Sequence, residues 1–475
     1  MKNRGLIVFY FIAIILAFVS GIALSYLKFP IGLVFILSLT LAIGLIPLIV
    51  KKPVIAPILI GFFLPFERVP TLEIGGATLK INHILILISL IACLISFFAE
   101  RSKIPRDKVR FSVIYFLLFL LISLTVAINF SRAIQVYVFM LLMGALYMIV
   151  TLSVKTKEDI KKVLTAILWG ALFSGFFGLM QFAGDAVGLP NEITLLKEGY
   201  DQSTFGFARI QAFSQEPLYF ANYLFIPILL IFVLNLKGLI GGVFNKTLSY
   251  ILLGALLIDF ILAVSRGAYL GAAAVLLILL VSQRKAILNF KVVAISLAMI
   301  FIVGFGAYFA LSKGESRAID EFVAHVAVED RDEGESVVLR LSTASLAWEL
   351  FTHNPVLGVG LGNFGPVIQG DPDEPPEEDG WSIVNNEYLE ILSEGGLVVF
   401  LSFVALIISL ITNSVSALRK SKETFLKATV FALLVSFIGI LVQYTTFSTL
   451  YIIHIWYLIA LLSASSRVAL EGVNE

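Results

Sequence analysis

The chain has 475 residues, 59% hydrophobic and 14% charged, with a formal net charge of +1 and a mean hydropathy of +0.98. A soluble domain carries about 45–50% apolar and about 25% charged residues, so a soluble globular domain is excluded. The single cysteine, Cys93, lies inside an apolar run, which excludes an intrachain disulfide and a cysteine-rich metal site.

Apolar runs long enough for a hydrocarbon core of about 30 Å recur along the chain. They predict an all-α polytopic membrane protein. Spans are expected near 6–26, 30–50, 54–66, 81–99, 111–129, 133–153, 160–183, 217–235, 247–264, 267–282, 290–311, 396–417, 425–444 and 449–466. The run 54–66 is short enough to be re-entrant, and the pair meeting at Ser265–Gly267 is open to redivision, so the expected count is 12–14. Lys2 and Arg4 before the first apolar stretch suit a signal peptide, but no cleavage pattern is clear and many spans follow. The stretch is read as a first transmembrane helix.

Lysine and arginine accumulate in cytoplasmic connections. With the N-terminus cytoplasmic, alternate connections hold 23 of the 34 Lys and Arg residues. From Lys313 to Gly395, on the opposite side, there are 18 acids against four basic residues. The expected organisation is a transmembrane bundle over 1–311 with an external loop at 185–217, a large extracytoplasmic loop with short helices over 312–395, and C-terminal helices over 396–475. The expected location is the inner or plasma membrane.

Arg266, in the reversal Ser265-Arg266-Gly267, is flanked by apolar sequence on both sides. A guanidinium there is costly and usually pairs or lines a site. It either binds phosphate through its planar fork or snorkels to headgroups. Arg209 and Gln211 stand in the external 185–217 loop, shortly before Ser214-Gln215-Glu216-Pro217. Arg209 is either a second anion clamp or a partner of Glu216, and Glu216 is either a base or a helix-entry acid. Asp259, seven residues before Arg266 inside a span, faces the same cavity or pairs with a neighbour.

Residues 340–396 read as a helix-like run over Ser342–Phe351 headed by Arg340, then a turn with Pro355, Gly358, Gly360 and Gly362. An acidic Pro-rich insert (Asp371–Asp379) and an amphipathic run (Asn385–Leu392) follow. Trp348 and Trp381 flank the turn; such rings suit sugar faces or membrane interfaces. Gly360-Leu-Gly362-Asn-Phe-Gly365 matches G-x-G-x-x-G but lacks the strand and helix of a dinucleotide site, so the glycines are read as a tight turn with close backbone approach. Asp371-Pro-Asp373 is read as part of a solvated lid, with weak divalent-ion binding as the alternative. Asn385-Asn386-Glu387 suits a helix N-cap, and His83, His325, His353 and His454 show no ligand spacing. There is no P-loop, zinc signature, serine-hydrolase elbow or basic nucleic-acid face.

The series Arg340…Trp348…Asn354-Pro355-x-x-Gly358-x-Gly360-x-Gly362-Asn363-Phe364 and Asn386-x-x-Leu389…Glu394-x-Gly396 resembles the signature loop of the O-antigen ligase-like membrane proteins. That family holds lipopolysaccharide O-antigen ligases, O-antigen polymerases and protein O-oligosaccharyltransferases. Ser265-Arg266-Gly267 resembles its mid-chain arginine turn, and Arg209-x-x-Ala212-Phe213-x-x-Glu216-Pro217 is similar to the segment before an earlier span. The resemblance implies a GT-C-like inverting glycosyltransferase. Its partners would be a polyprenyl-diphosphate-linked glycan donor, a glycan or lipid-glycan acceptor and membrane lipid, with no cofactor and, in the ligases, no metal.

By the same resemblance Arg209 and Arg266 hold the diphosphate leaving group; Arg340, Gln211, Asn386 and Trp381 are read as further substrate contacts. The ligases carry a histidine where this chain has Asn385, so the base is Glu387 or Glu216, or leaving-group stabilisation does most of the work. Two rival classes remain at this point: a small-solute transporter and a non-catalytic subunit of a glycan assembly complex.

Overall fold

The computed structural model describes residues 40, 42–69, 71–74, 77–100, 105–201, 207–287, 331–369 and 381–472. The expected spans at 6–26 and 290–311, most of that at 30–50, and the Asp371–Asp379 insert lie outside the described residues.

After an apolar helix at Ala42–Lys51, the main elements in chain order are α1 (Ile55–Phe63), a hairpin of β1 (Thr71–Ile74) and β2 (Ala77–Lys80), α2 (Ile81–Glu100), α3 (Lys108–Ser123), α4 (Phe130–Ser153) and α5 (Lys157–Ala186). They continue as α6 (Pro217–Leu236), α7 (Lys246–Leu262), α8 (Arg266–Ile287), α9 (Arg331–His353), α10 (Glu387–Lys420), α11 (Thr424–Gln443) and α12 (Ile453–Glu471). Eight helices among the described residues are long and apolar enough to cross a membrane. The protein is a polytopic all-α membrane protein.

Local chemistry sets where these helices begin. Asp107, Asn129, Asn245, Asn386 and Glu423 each accept a backbone N–H from the first turn of α3, α4, α7, α10 and α11. Thr156 and Asp159 form a reciprocal capping box at α5. Each cap satisfies a donor that the helix leaves unpaired.

The centre of the bundle is α12, buried from Ile453 to Ala469 and packed against α4, α10 and α11. Its Trp456 indole donates to Leu450 O at 2.8 Å, and Tyr457 donates to Pro57 O. Helix α1 lies directly on α5. A Cβ on Gly170 would stand 2.2 Å from the Phe62 carbonyl oxygen, so the contact requires glycine.

Two expectations are revised. The run 54–66 forms only nine helical residues, Ile55–Phe63, too few to cross a bilayer. The following stretch pairs as an antiparallel hairpin with Thr71 opposite Lys80, consistent with Gly75-Gly76 between two β-prone runs. The amphipathic run and the next span are separate helical segments, as expected, since α10 breaks at Gly396 (φ 64°, ψ −170°). Arg340 does not open its helix, since α9 starts nine residues earlier at Arg331. The division at Ser265, by contrast, is where α7 and α8 separate.

Charge is sorted by end. At one end Lys157 pairs with Glu423, and Arg467 donates through Nη2 to Thr151 O at 3.0 Å and Val154 O at 2.6 Å. The other end carries the α5–α6 connection, the α7–α8 reversal, α9 and the α11–α12 connection. There the candidate site forms.

Candidate functional site

A cavity of about 170 Å³ is lined by Tyr200, Arg209, Glu216, Pro217, Leu218, Val264, Ser265, Arg266, Gly267, Arg340 and Thr446. Three arginines from separate segments and one carboxylate thus share a single polar space. The first residues of α6 and of α8 also form its wall, so two helix N-termini, each bearing partial positive charge, open on the same cavity.

Arg209 is held from both sides. Its backbone N–H donates to Tyr200 O at 2.8 Å, and its guanidinium lies 5.6 Å from the centre of the Tyr200 ring. Nη2 donates to Val264 O at 3.0 Å, and the next residue, Ile210, donates its N–H to Leu262 O at 3.3 Å. The 209–210 segment is therefore stitched to the end of α7. Gln181, inside α5, fixes that segment from below: Oε1 accepts from Ala212 N at 2.7 Å, and Nε2 donates to Thr194 O and Ala212 O at 2.9 and 3.2 Å.

Arg266 opens α8. Its position depends on Gly267, where a Cβ would fall 2.1 Å from Thr446 Oγ1. That close approach presses the reversal against the α11–α12 connection. Val264, just before the reversal, has φ 44°. A β-branched residue is rarely left-handed, and such strain, of order 1–3 kcal/mol, collects at functional sites.

Glu216 is the N-terminal flanking residue of α6, with extended backbone, and its side chain makes no capping bond. Proline follows at the first helical position, where no N–H is needed. Burial pushes the Glu216 carboxyl above the usual carboxylate range; Lys197, Arg209 and Arg340 pull it back, and Glu67 opposes them.

The other expected site residues lie elsewhere. Glu387, Glu390 and Glu394 line a second, smaller cavity of about 50 Å³ together with Trp381 and Arg132. Each carboxylate holds a loop: Glu387 accepts from Thr449 N at 2.7 Å, Glu390 from Val384 N at 3.0 Å, and Glu394 from Gly362 N and Phe364 N at 2.7 and 3.0 Å. The two cavities lie on either side of the α11–α12 connection, with Thr446 facing the arginines and Ser448 to Tyr451 facing the glutamates. Asn386 caps α10, accepting from Leu389 N at 3.2 Å, and donates to Thr445 O at 3.4 Å. Asn385 is left-handed at φ 57°. Neither asparagine lines the arginine cavity.

Gln211 is fully buried and also lies outside that cavity. With its amide oriented to satisfy both ends, the side-chain oxygen accepts from Arg68 Nη1 at 3.0 Å and Lys197 N at 2.7 Å. It braces the connection.

The Gly turn behaves as its spacing suggests. Gly358, Gly360 and Gly362 have φ of 67°, 99° and 71°, and Cβ atoms there would fall 2.4 to 2.8 Å from Glu394, Ala127 and Val136. Asp259 is fully buried against Gly175 and Gly178 of α5 and does not reach the arginine cavity. Neither of its carboxylate oxygens has a hydrogen-bond partner among the described residues.

Sequence reasoning missed a buried polar chain. His454 Nδ1 lies 3.5 Å from Glu67 Oε1, and Nε2 lies 2.7 Å from Asn222 Oδ1, whose amide donates to Gln443 Oε1 at 2.7 Å. Asn222 and Gln443 within apolar helices were the available signal, since polar groups in spans are seldom idle.

Residues 251–404 match the family model described as O-antigen ligase. The match contains Arg266, Arg340, the Gly turn and the Asn385–Gly396 segment, while Arg209 and Glu216 precede it. No curated protein matches the chain in sequence. The domain at 251–404, about a third of the chain, is therefore similar to the O-antigen ligase family.

Proposed function

We propose that this protein transfers or polymerises a glycan from a polyprenyl-diphosphate-linked donor at the outer face of the membrane. The observation that carries the reading is the convergence of Arg209, Arg266 and Arg340 with the N-termini of α6 and α8 on one cavity. Guanidinium groups bind phosphate oxygens in pairs, and helix N-termini favour anions.

In glycan transfer from such a donor, negative charge grows on the departing diphosphate as the anomeric bond breaks. Cations fixed where that charge develops lower the barrier, and loss of one such donor group typically costs about 10²–10³ in rate. Attack by an acceptor hydroxyl from the opposite side inverts the anomeric centre. The outer-face assignment is supported by the charge sorting: the end bearing Lys157, Arg467 and their neighbours suits the cytoplasm, which puts the arginine cavity at the other surface, in reach of membrane lipid.

The test uses cells deleted for the gene and complemented with Arg209→Ala or Arg266→Ala. The proposal expects the lipid-linked glycan to accumulate and the polymerised or ligated product to disappear, with each variant still in the membrane. Wild-type product profiles in both variants would contradict it.

A further inference from the structure

Glycan transfer to a hydroxyl needs somewhere for the hydroxyl proton to go, and the residue pattern of this chain leaves the acceptor of that proton unassigned. Asn385 carries an amide, which does not take up a proton near neutral pH. Glu387 is buried, its Oε2 accepts from Thr449 N at 2.7 Å, and its own N–H is bound to Tyr444 O and Phe447 O. It belongs to the glutamate cavity, behind the α11–α12 connection. Among the described residues lining the arginine cavity there is one carboxylate, Glu216.

From this placement we infer that Glu216 is the general base of the reaction, taking the proton of the acceptor hydroxyl while Arg209, Arg266 and Arg340 hold the donor diphosphate. The inference rests on the diphosphate reading of the cavity. The acceptor oxygen forms a bond to the anomeric carbon and its proton passes to a Glu216 carboxylate oxygen. The anomeric carbon–oxygen bond to the diphosphate breaks, and its electron pair leaves with the diphosphate into the arginine cluster.

Three features fit the role. The carboxylate is not used as a helix cap, although Glu216 stands at the capping position. Its surroundings hold cations in balance with burial: Lys197, Arg209 and Arg340 face it, with Glu67 and Tyr219 as further titratable neighbours and Arg266 on the same wall. Burial outweighs those cations and leaves the carboxyl more basic than one in water, nearer the pH at which a base works best. A bound diphosphate engages Arg209 and Arg340 and adds its own negative charge, so donor binding raises that basicity further.

The experiment uses the full chain purified in detergent and two readouts. Binding is measured with farnesyl diphosphate. Turnover is measured with the lipid-linked glycan and envelope lipid extracted together from cells deleted for the gene. Glu216→Gln is expected to bind farnesyl diphosphate within about threefold of wild type and to lose about 10²–10⁴-fold in turnover, the usual contribution of a positioned base. Wild-type turnover is expected to fall on the acid side as Glu216 takes up a proton, with that limb at higher pH for kcat than for kcat/KM. The limb is expected to be absent in Glu216→Gln and to return in Glu216→Asp.

Turnover of Glu216→Gln within threefold of wild type, or an unchanged acid limb, overturns the inference. So does a Glu216→Gln variant that loses farnesyl diphosphate binding in proportion to turnover, which marks the residue as scaffold. Failure of the wild type itself to bind farnesyl diphosphate instead overturns the diphosphate reading.

Discussion

The guanidinium of Arg209 donates through Nη2 to the carbonyl oxygen of Val264 at 3.0 Å, two residues before Arg266. One arginine of the cavity therefore holds the turn that presents another. The bond also steadies a residue at φ 44°, a conformation that valine rarely adopts.

Arg209→Ala is accordingly expected to do two things. Stability should fall by about 1.5–3 kcal/mol, the worth of a hydrogen bond involving a charged group, read by thermal unfolding in detergent. Affinity for farnesyl diphosphate should also drop. Arg209→Lys keeps the charge and loses the planar fork, so it should recover part of the stability and little of the affinity. An alanine variant that melts like wild type would show that the Val264 contact contributes nothing.

Gly267→Ala places a methyl group against Thr446 Oγ1. The connection must shift outward, deforming the wall shared by Arg266 and Thr446. A loss of about 1–3 kcal/mol is expected from such overpacking, with weaker farnesyl diphosphate binding. Adding Thr446→Ala removes the struck oxygen and should restore part of both. No rescue by the second substitution would mean that the clash is relieved elsewhere.

Gly358→Ala tests the turn over α10. The residue is at φ 67°, and a Cβ would lie 2.4 Å from the Glu394 carbonyl carbon, where only backbone is available to move. A loss of at least about 2 kcal/mol is expected from conformation and overlap together. Protease cleavage within residues 354–369 should increase as Glu394 loses its grip on Gly362 and Phe364. Wild-type melting and cleavage patterns would refute this account of the turn.

Glu67 gives a pH dependence. It is 3% exposed, with Lys80 Nζ at 3.8 Å and His454 Nδ1 at 3.5 Å from Oε1. Burial raises its proton affinity, but Lys80, His454 and the Gln215 backbone reverse this and hold the carboxyl at about 2, below its usual 4.5. The folded value is the lower one, so the ionised group stabilises the fold above pH 4.5, and that contribution is lost as pH falls from 4.5 towards 2. At 1.36 kcal/mol per unit it amounts to about 3 kcal/mol. Glu67→Gln should be less stable at neutral pH and show a flatter decline between pH 4.5 and 2. The same slope in both proteins would remove Glu67 as its source.

Most of the helical frame was legible because apolar length is a strong signal, and the reversal at Ser265-Arg266-Gly267 was legible because an arginine between apolar runs has few places to go. The Gly turn was readable from spacing. Partnership across the fold was not. Nothing local in Thr446 or Tyr200 announces that either borders a cavity, and Glu387 and Glu216 look equally eligible as bases until the α11–α12 connection is seen between them. The short hairpin escaped because four-residue strands carry little periodicity. His454 escaped because its partners, Glu67 and Asn222, are far away in sequence.

The most direct measurement is a binding titration of farnesyl diphosphate against the purified full chain, its Arg209→Ala and Arg266→Ala variants, and the double variant. The account predicts at least a tenfold loss of affinity in each single variant, a double-variant loss that departs from the product of the two because both groups hold one ligand, and weakening with added salt. Equal affinity in all four proteins would contradict the claim that these arginines converge on a diphosphate.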